Sequence, residues 1–238
     1  MLKTGLVFFL LVIELLVYYS YGGLASYPLR LLMYCSILYW YYAKKRDIFN
    51  FTDKLFFGSS VFSIISPLPV YFLGIAAGKT FELALIMMGY FFIIRIYQVE
   101  GSKIILSDKH NTFINIFIPY IIMPCGFFIA VILPLTSIAT TILTGIYLLL
   151  LLYMLVLSAF LPFPERSKLY ISLAMFFLVL ASGANAYRMY VSHFPFDYGA
   201  VRIATTLFRF FFFLGIFYRA DQQIGRSFLA QKRLAQKR

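Results

Sequence analysis

The 238-residue chain is 62% hydrophobic and 20% aromatic, with a mean hydropathy of +0.87, and this composition excludes an ordinary soluble globular domain. Its net charge of +12 is spread over short segments between apolar runs. Such a distribution indicates membrane orientation and contact with anionic lipids rather than nucleic-acid binding. We therefore predict a polytopic integral membrane protein whose partners are membrane lipids, with other membrane subunits as a further partner class and no nucleic acid.

Eight apolar runs follow one another along the chain, and each is long enough, or nearly so, to cross a hydrocarbon core of about 30 Å as a helix. They predict an all-α transmembrane bundle of eight helices in one domain, residues 1–220, followed by a basic cytoplasmic tail, residues 221–238. The first run is followed by no small-residue cleavage site, so we expect a retained helix rather than a signal peptide. The runs cover residues 5–22, 27–43, 55–76, 80–98, 112–133, 136–160, 169–189 and 200–218.

The lysines and arginines divide unequally between the two faces of such a bundle. Sixteen fall on the side of the termini and four on the other side, while Arg209 lies within the last run. Because cytoplasmic loops are enriched in Lys and Arg, we predict that both termini are cytoplasmic, in the inner membrane of a bacterium. The four outer charges are Arg30, Lys79, Arg188 and Arg202.

Two charges lie near the middle of predicted spans, Glu14 in the first and Arg209 in the last. A charge at the bilayer centre costs about 2.5–3.5 kcal/mol, so each is expected to have a partner or a function. We expect the two to pair, since the first and last helices of a closed bundle can be neighbours. Such a pair could serve only to join the two helices, or it could belong to a polar pocket, and the sequence leaves both interpretations open. Glu82 and Asp197 fall in the same outer half of the bundle.

The third run contains the segment VFSIISPLPVYF, residues 61–72, in which two prolines interrupt an apolar helix. Proline removes a backbone donor, and membrane helices tolerate it where neighbours or a cavity satisfy the released carbonyl groups. This pattern predicts a kinked helix beside a ligand cavity. Small and polar residues of the seventh helix could line the same cavity, but they also suit close helix packing. The predicted cavity residues are Glu14, Ser63, Ser66, Pro67, Ser182, Asn185, Arg188 and Arg209.

The sequence contains no phosphate-binding glycine loop, no HExxH motif and no paired cysteines at zinc spacing. We therefore predict no metal site and no cofactor.

The order of the segments, with FFLLVIELLVYY in the first run, YPLRLLMYCSILYWYYAKKR in the second and VFSIIS in the third, resembles the YhhN family of membrane proteins. The characterised members of that family are lysoplasmalogenases. The resemblance implies an eight-helix bundle with a site for a lysolipid.

The family motifs place a phenylalanine–serine pair and then an aspartate in the third helix, and a serine–aspartate pair in the seventh. The Phe62–Ser63 pair matches the first motif, but Pro67 stands where its aspartate is expected. Ser182 matches the second motif, but Gly183 stands in place of the aspartate. Hydrolysis of a vinyl ether calls for a proton donor and a base. The resemblance thus predicts a catalytically degenerate member that binds a lysolipid-like ligand or serves as a subunit of a membrane complex.

Two alternatives belong to other functional classes. An active lysoplasmalogenase-like hydrolase would use Glu14, Glu82 or Asp197 as its carboxylate, and a small transporter would use the broken third helix as a gate. Two carboxylates that face each other across a cavity would favour the hydrolase, whereas a cavity with at most one would favour binding.

Overall fold

The computed structural model describes residues 2–45, 49–104 and 121–235, and within these ranges the chain is helical and forms no strand. The all-α prediction is confirmed over these residues. Residues 112–120 of the fifth predicted run lie outside them. The helices are α1 (Leu2–Tyr21), α2 (Gly23–Lys45), α3 (Phe51–Ile65), α4 (Leu68–Leu73), α5 (Ile75–Val99), α6 (Met123–Phe127), a π-helical turn (Phe128–Ile132), α7 (Leu133–Leu135), α8 (Ile138–Ala159), α9 (Glu165–Tyr190) and α10 (Asp197–Ala235).

Five stretches of the described chain are helical, long enough and apolar enough to cross a membrane. Gly5–Tyr21 and Met123–Leu135 are shorter apolar helices. The 23-residue α2 is long enough but carries tyrosines and an arginine that lower its hydropathy. The five stretches are Phe51–Leu73, Ala77–Val99, Ile138–Ala159, Glu165–Tyr190 and Asp197–Arg219.

The helices form a closed ring around the core. Helix α1 packs against α2 and α10, and α2 packs against α3. The ring continues from α3 to α5, α8, α9 and back to α10. The first and last helices of the chain are therefore neighbours, as a closed bundle requires. Helix α10 continues past residue 220, so the predicted boundary between the bundle and the tail falls inside this helix.

The third span is broken at Ser66 and Pro67, between α3 and α4. Pro67 lacks the N–H group that would bond to the Ser63 carbonyl oxygen in a continuous helix, and the Ser66 hydroxyl donates to that oxygen instead (3.2 Å). The Tyr27 hydroxyl of α2 donates to the Ile64 carbonyl oxygen (2.8 Å). Side chains thus satisfy the carbonyl groups that the break releases.

Helix α5 approaches α4 at Gly78, which has no side chain to separate them. A Cβ atom at this position would lie 2.5 Å from the Val70 Cα and 2.6 Å from the Pro69 carbonyl oxygen. Only glycine fits such a contact without displacement of the backbone. This approach holds the beginning of α5 directly beside the break in the third span.

At the opposite end of the bundle, a buried group of side chains joins α2, α3, α5 and α10. The Asp53 Oδ1 accepts a hydrogen bond from the Tyr41 hydroxyl and lies 3.6 Å from Lys45 Nζ and 3.8 Å from Arg219 Nη2. Arg219 also forms an ion pair with Glu100. We call these five residues the Asp53 cluster, and it contains two cations and two carboxylates.

Candidate functional site

Glu14 is fully buried in α1, and both of its carboxylate oxygens are occupied. Oε1 accepts hydrogen bonds from Arg30 Nε (3.1 Å), Arg202 Nε (2.8 Å) and the Tyr198 hydroxyl (3.1 Å). Oε2 accepts a further bond from Arg202 Nη2 (2.8 Å). A single carboxylate therefore joins α1, α2 and α10 through two arginines.

The expected ion pair between Glu14 and Arg209 is wrong. Arg209 lies seven residues beyond Arg202 on α10, which corresponds to about 10 Å of helix rise, so Arg202 reaches the depth of Glu14 instead. The Arg209 guanidinium carbon lies 4.6 Å from the centroid of the Tyr34 ring. Its Nε is buried and has no hydrogen-bond partner among the described residues. Arg209 is thus held by an aromatic face rather than by a carboxylate.

Beside this network lies a cavity of about 180 Å³ that is bounded by α2, α5, α8, α9, α10 and the break in the third span. We call it the arginine lobe, because its wall contains four arginines but, among the described residues, a single carboxylate. These charged residues are Arg30, Arg188, Arg202, Arg209 and Glu82. Hydroxyl groups supply most of the other polar wall, from Tyr34, Ser63, Ser66, Tyr90, Tyr147, Ser182, Tyr198 and Thr205.

A second space of about 380 Å³, which we call the side lobe, adjoins the arginine lobe. Leu83, Leu143 and Met189 add an apolar wall to the side lobe, which Lys79 also lines. A charged space therefore continues into one with apolar walls. The two lobes share Glu82, Ile86, Tyr147, Ser182 and Asn185.

A chain of hydroxyl groups crosses the wall between α5, α8 and α9. The Tyr90 and Tyr147 hydroxyl oxygens are 3.0 Å apart, and the Tyr147 hydroxyl lies 2.8 Å from Ser182 Oγ. These contacts fix Ser182 and Tyr147 at the boundary of the two lobes.

Seven of the eight residues predicted to surround a ligand line the arginine lobe. Glu14 does not reach the lobe but lies behind its wall, where it holds Arg30 and Arg202. The seven lining residues are Ser63, Ser66, Pro67, Ser182, Asn185, Arg188 and Arg209.

The three carboxylates proposed as catalytic alternatives are not brought together. Glu14 is held by arginines, and Glu82 lines both lobes without a hydrogen bond or ion pair within the described chain. Asp197 begins α10, where its Oδ2 lies 2.6 Å from His193 Nδ1, and it lines neither lobe. Gly183, which stands in place of a family aspartate, also lines neither lobe.

Arg30 and Arg202 were counted among the outer charges and were not predicted to surround a ligand, although both fall within apolar runs. The spacing of polar residues could have indicated their role, because positions 198, 202, 205 and 209 lie on one face of a helix. All four residues line the arginine lobe. On α2, positions 30 and 34 are related in the same way and also line the lobe.

Among the described residues, no group of three or more His, Cys, Asp or Glu side chains is placed to hold a metal ion. Comparison of the chain with protein-family models, curated proteins and solved structures finds no match.

Proposed function

We propose that this chain is an integral membrane protein that binds a lysolipid-like ligand in its cavity and does not hydrolyse it. The observation that supports this proposal is the wall of the arginine lobe, where four arginines and one carboxylate of the described chain face the same space.

The chemistry of vinyl-ether hydrolysis favours binding over catalysis here. Protonation of the alkene carbon and activation of water call for an acid and a base with separated pKa values. Glu14 has both oxygens engaged by donors, so Glu82 is the one carboxylate of the described residues that is open to the cavity. One carboxylate and four arginines suit the retention of an anion better than the transfer of protons.

The two lobes together suit an amphiphile. The arginine lobe offers charged and hydroxyl groups for a headgroup, and the side lobe offers Leu83, Leu143 and Met189 for the start of an acyl chain. The side lobe, at about 380 Å³, falls in the range of about 300–1,000 Å³ that is usual for ligand pockets.

The proposal includes eight spans with both termini in the cytoplasm of a bacterium, which places the cavity in the outer half of the inner membrane. The distribution of lysines and arginines supports this orientation. Reporter fusions after Lys45, Arg166 and Arg238 should all give a cytoplasmic signal. One periplasmic signal among them would reject the orientation.

The function is tested with purified protein in mild detergent and a vinyl-ether lysolipid. Native mass spectrometry should detect bound lysolipid, and aldehyde release should not exceed that of a protein-free sample. The variant Ala186→Trp should fill the side lobe and reduce binding. The matched control is Leu149→Trp on α8, because Leu149 is 68% exposed and lies away from the cavity. Absence of any bound lysolipid in the unaltered protein would reject the proposal.

Glu82 supports one alternative, a lysoplasmalogenase-like hydrolase, because its carboxylate forms no hydrogen bond or ion pair within the described chain and it faces both lobes. Aldehyde release that depends on Glu82 would favour this alternative. The decisive variant is Glu82→Gln, which keeps the size of the side chain and removes its ability to accept a proton.

A further inference from the structure

We infer that the arginine lobe holds a phosphate monoester, and that Arg188 and Arg209 supply the positive charge that this group requires. The inference rests on the proposed binding function and goes beyond it, since it names the chemical group that the site selects.

The charges around the lobe do not balance. Arg30 and Arg202 share the single carboxylate of Glu14. No carboxylate of a described residue lies within ion-pair distance of Arg188 or Arg209, and Arg188 has only a long contact of 3.5 Å with the Asn185 side-chain oxygen. With Glu14 and Glu82 counted against all four arginines, an excess of two positive charges remains around the arginine lobe, and Lys79 of the side lobe adds to it.

Arg209 presents a buried hydrogen-bond donor, its Nε–H group, that the described chain does not satisfy. The Tyr34 ring lies 4.6 Å from its guanidinium carbon, and the Tyr34 hydroxyl accepts from Arg202 Nη1 (3.0 Å). The aromatic face therefore positions the Arg209 guanidinium while its buried Nε–H group has no acceptor among the described residues. A buried donor without an acceptor is destabilising, so a bound acceptor at this position would stabilise the bundle.

A phosphate monoester matches both features. It carries a charge of about −1.5 to −2 at pH 7 and three acceptor oxygens, and guanidinium groups bind such oxygens in bidentate pairs. A carboxylate or a phosphodiester carries a single charge and would leave one guanidinium without compensation in an apolar bundle. The excess of two charges thus favours the monoester over both.

A monoester can belong to a lipid, as in a monoacylglycerol phosphate, or to a water-soluble ester such as glycerol 3-phosphate. In the lipid, the acyl chain would extend from the arginine lobe into the side lobe, past the shared wall at Ile86 and Ser182. In the soluble ester, the side lobe would contribute nothing. Probes with and without the chain separate these sources.

The test measures binding of a series of probes to the purified full-length protein in detergent. Mono-oleoylglycerol phosphate should bind at least about tenfold more tightly than mono-oleoylglycerol or lysophosphatidylcholine with the same chain. The variants Arg188→Gln and Arg209→Gln should each weaken that binding about 10- to 100-fold, since each removes a charged hydrogen-bond donor. Arg209→Lys keeps the positive charge but loses the planar guanidinium that can donate two parallel hydrogen bonds. Its affinity for mono-oleoylglycerol phosphate should lie between that of Arg209→Gln and that of the unaltered protein.

The matched control is Arg95→Gln, because Arg95 is exposed on α5 and contacts Gln98 (2.9 Å) rather than the cavity. It should leave the affinity for every probe unchanged. Equal affinity for the three lipids, with no effect of the Arg188 and Arg209 variants, would overturn the inference and leave the proposed function intact.

Binding of inorganic phosphate or glycerol 3-phosphate without binding of any lysolipid would support a phosphate site and reject the lysolipid function. No binding of any probe would reject both.

Discussion

Two buried polar groups lie at opposite ends of this bundle, and they differ in the balance of their charges. In the Asp53 cluster, the two positive charges of Lys45 and Arg219 are balanced by the two carboxylates of Asp53 and Glu100. Around the arginine lobe, the four arginines outnumber the two carboxylates of the described residues, Glu14 and Glu82. A balanced group is explained by the joining of helices, whereas an unbalanced group beside a cavity calls for an anion from outside the chain.

The Asp53 carboxylate also stabilises the start of its own helix. Its Oδ2 accepts from the Asn50 backbone N–H (2.9 Å), and the Asn50 side chain accepts from the Asp53 backbone N–H (3.0 Å). This reciprocal capping satisfies two donors at the beginning of α3. Every oxygen of Asp53 is therefore engaged, and none is left for a ligand.

The largest expected effect comes from Glu14→Gln. The change leaves Arg30 and Arg202 without their carboxylate and increases the excess charge of the lobe from two to three. Removal of one partner of a buried pair typically costs about 3–5 kcal/mol, and we expect a loss of this size in the free energy of unfolding. Titration with sodium dodecyl sulfate in mixed micelles measures it.

Glu82→Gln is the control for this prediction, because Glu82 faces the cavity without an ion pair in the described chain. It should lower the stability much less than Glu14→Gln. Equal losses would mean that Glu14 is not the carboxylate that compensates the arginines.

The second prediction compares one arginine from each group. Arg219→Met removes the cation that Glu100 and Asp53 share, and the loss of charged hydrogen bonds should cost about 1.5–3 kcal/mol. Arg209→Met removes a cation without a carboxylate partner, so the ligand-free protein should be unchanged or more stable. The same micelle titration measures both variants. A larger loss for Arg209→Met would contradict the difference in charge balance between the two groups.

The sequence predicted the helical class, and seven of the eight residues proposed to surround a ligand line the arginine lobe, because apolar runs and prolines depend only on local spacing. Pro67 indicated the break, and the structure places the break between α3 and α4 at this residue. The partner of Glu14 was predicted wrongly, since hydropathy gives the approximate depth of a residue but not the direction of a long side chain. Arg202 extends from the start of α10 into the bundle, whereas the charge distribution had indicated only that it lies on the outer side.

The Asp53 cluster was not predicted for a related reason. Its members lie at positions 41, 45, 53, 100 and 219, which are far apart along the chain. Only the packing of α2, α3, α5 and α10 brings them together, and no spacing within one helix indicates that packing. The distribution of lysines and arginines placed Lys45 and Arg219 on the same face of the membrane but did not indicate their partners.

The third prediction tests the close contact between α4 and α5 at Gly78, next to the break in the third span. Gly78→Ala places a Cβ atom 2.5 Å from the Val70 Cα, and overpacking of this kind typically costs about 1–3 kcal/mol. Gly183→Ala is the control, because a Cβ atom there meets nothing within 4 Å. The control should be as stable as the parent, or slightly more so, since alanine favours a helix over glycine. Equal stability of the two variants would mean that α4 and α5 do not touch at Gly78.

The smallest expected effect concerns the donor that bridges α2 to the break in the third span. Tyr27→Phe removes the hydroxyl that donates to the Ile64 carbonyl oxygen, a bond of the kind that contributes about 0.5–1.5 kcal/mol. Tyr39→Phe is the matched control, since Tyr39 lies on the same helix and is 72% exposed. We expect a loss of stability in this range for Tyr27→Phe and none for Tyr39→Phe in the micelle titration. Backbone hydrogen exchange should also become faster around Ser66 in Tyr27→Phe, because the Ile64 carbonyl group loses its donor and the break in the third span is held less firmly. Exchange near the Asp53 cluster should not change. Faster exchange at Asp53 as well would show that the two ends open together, and the comparison between them would then no longer describe independent parts of the bundle.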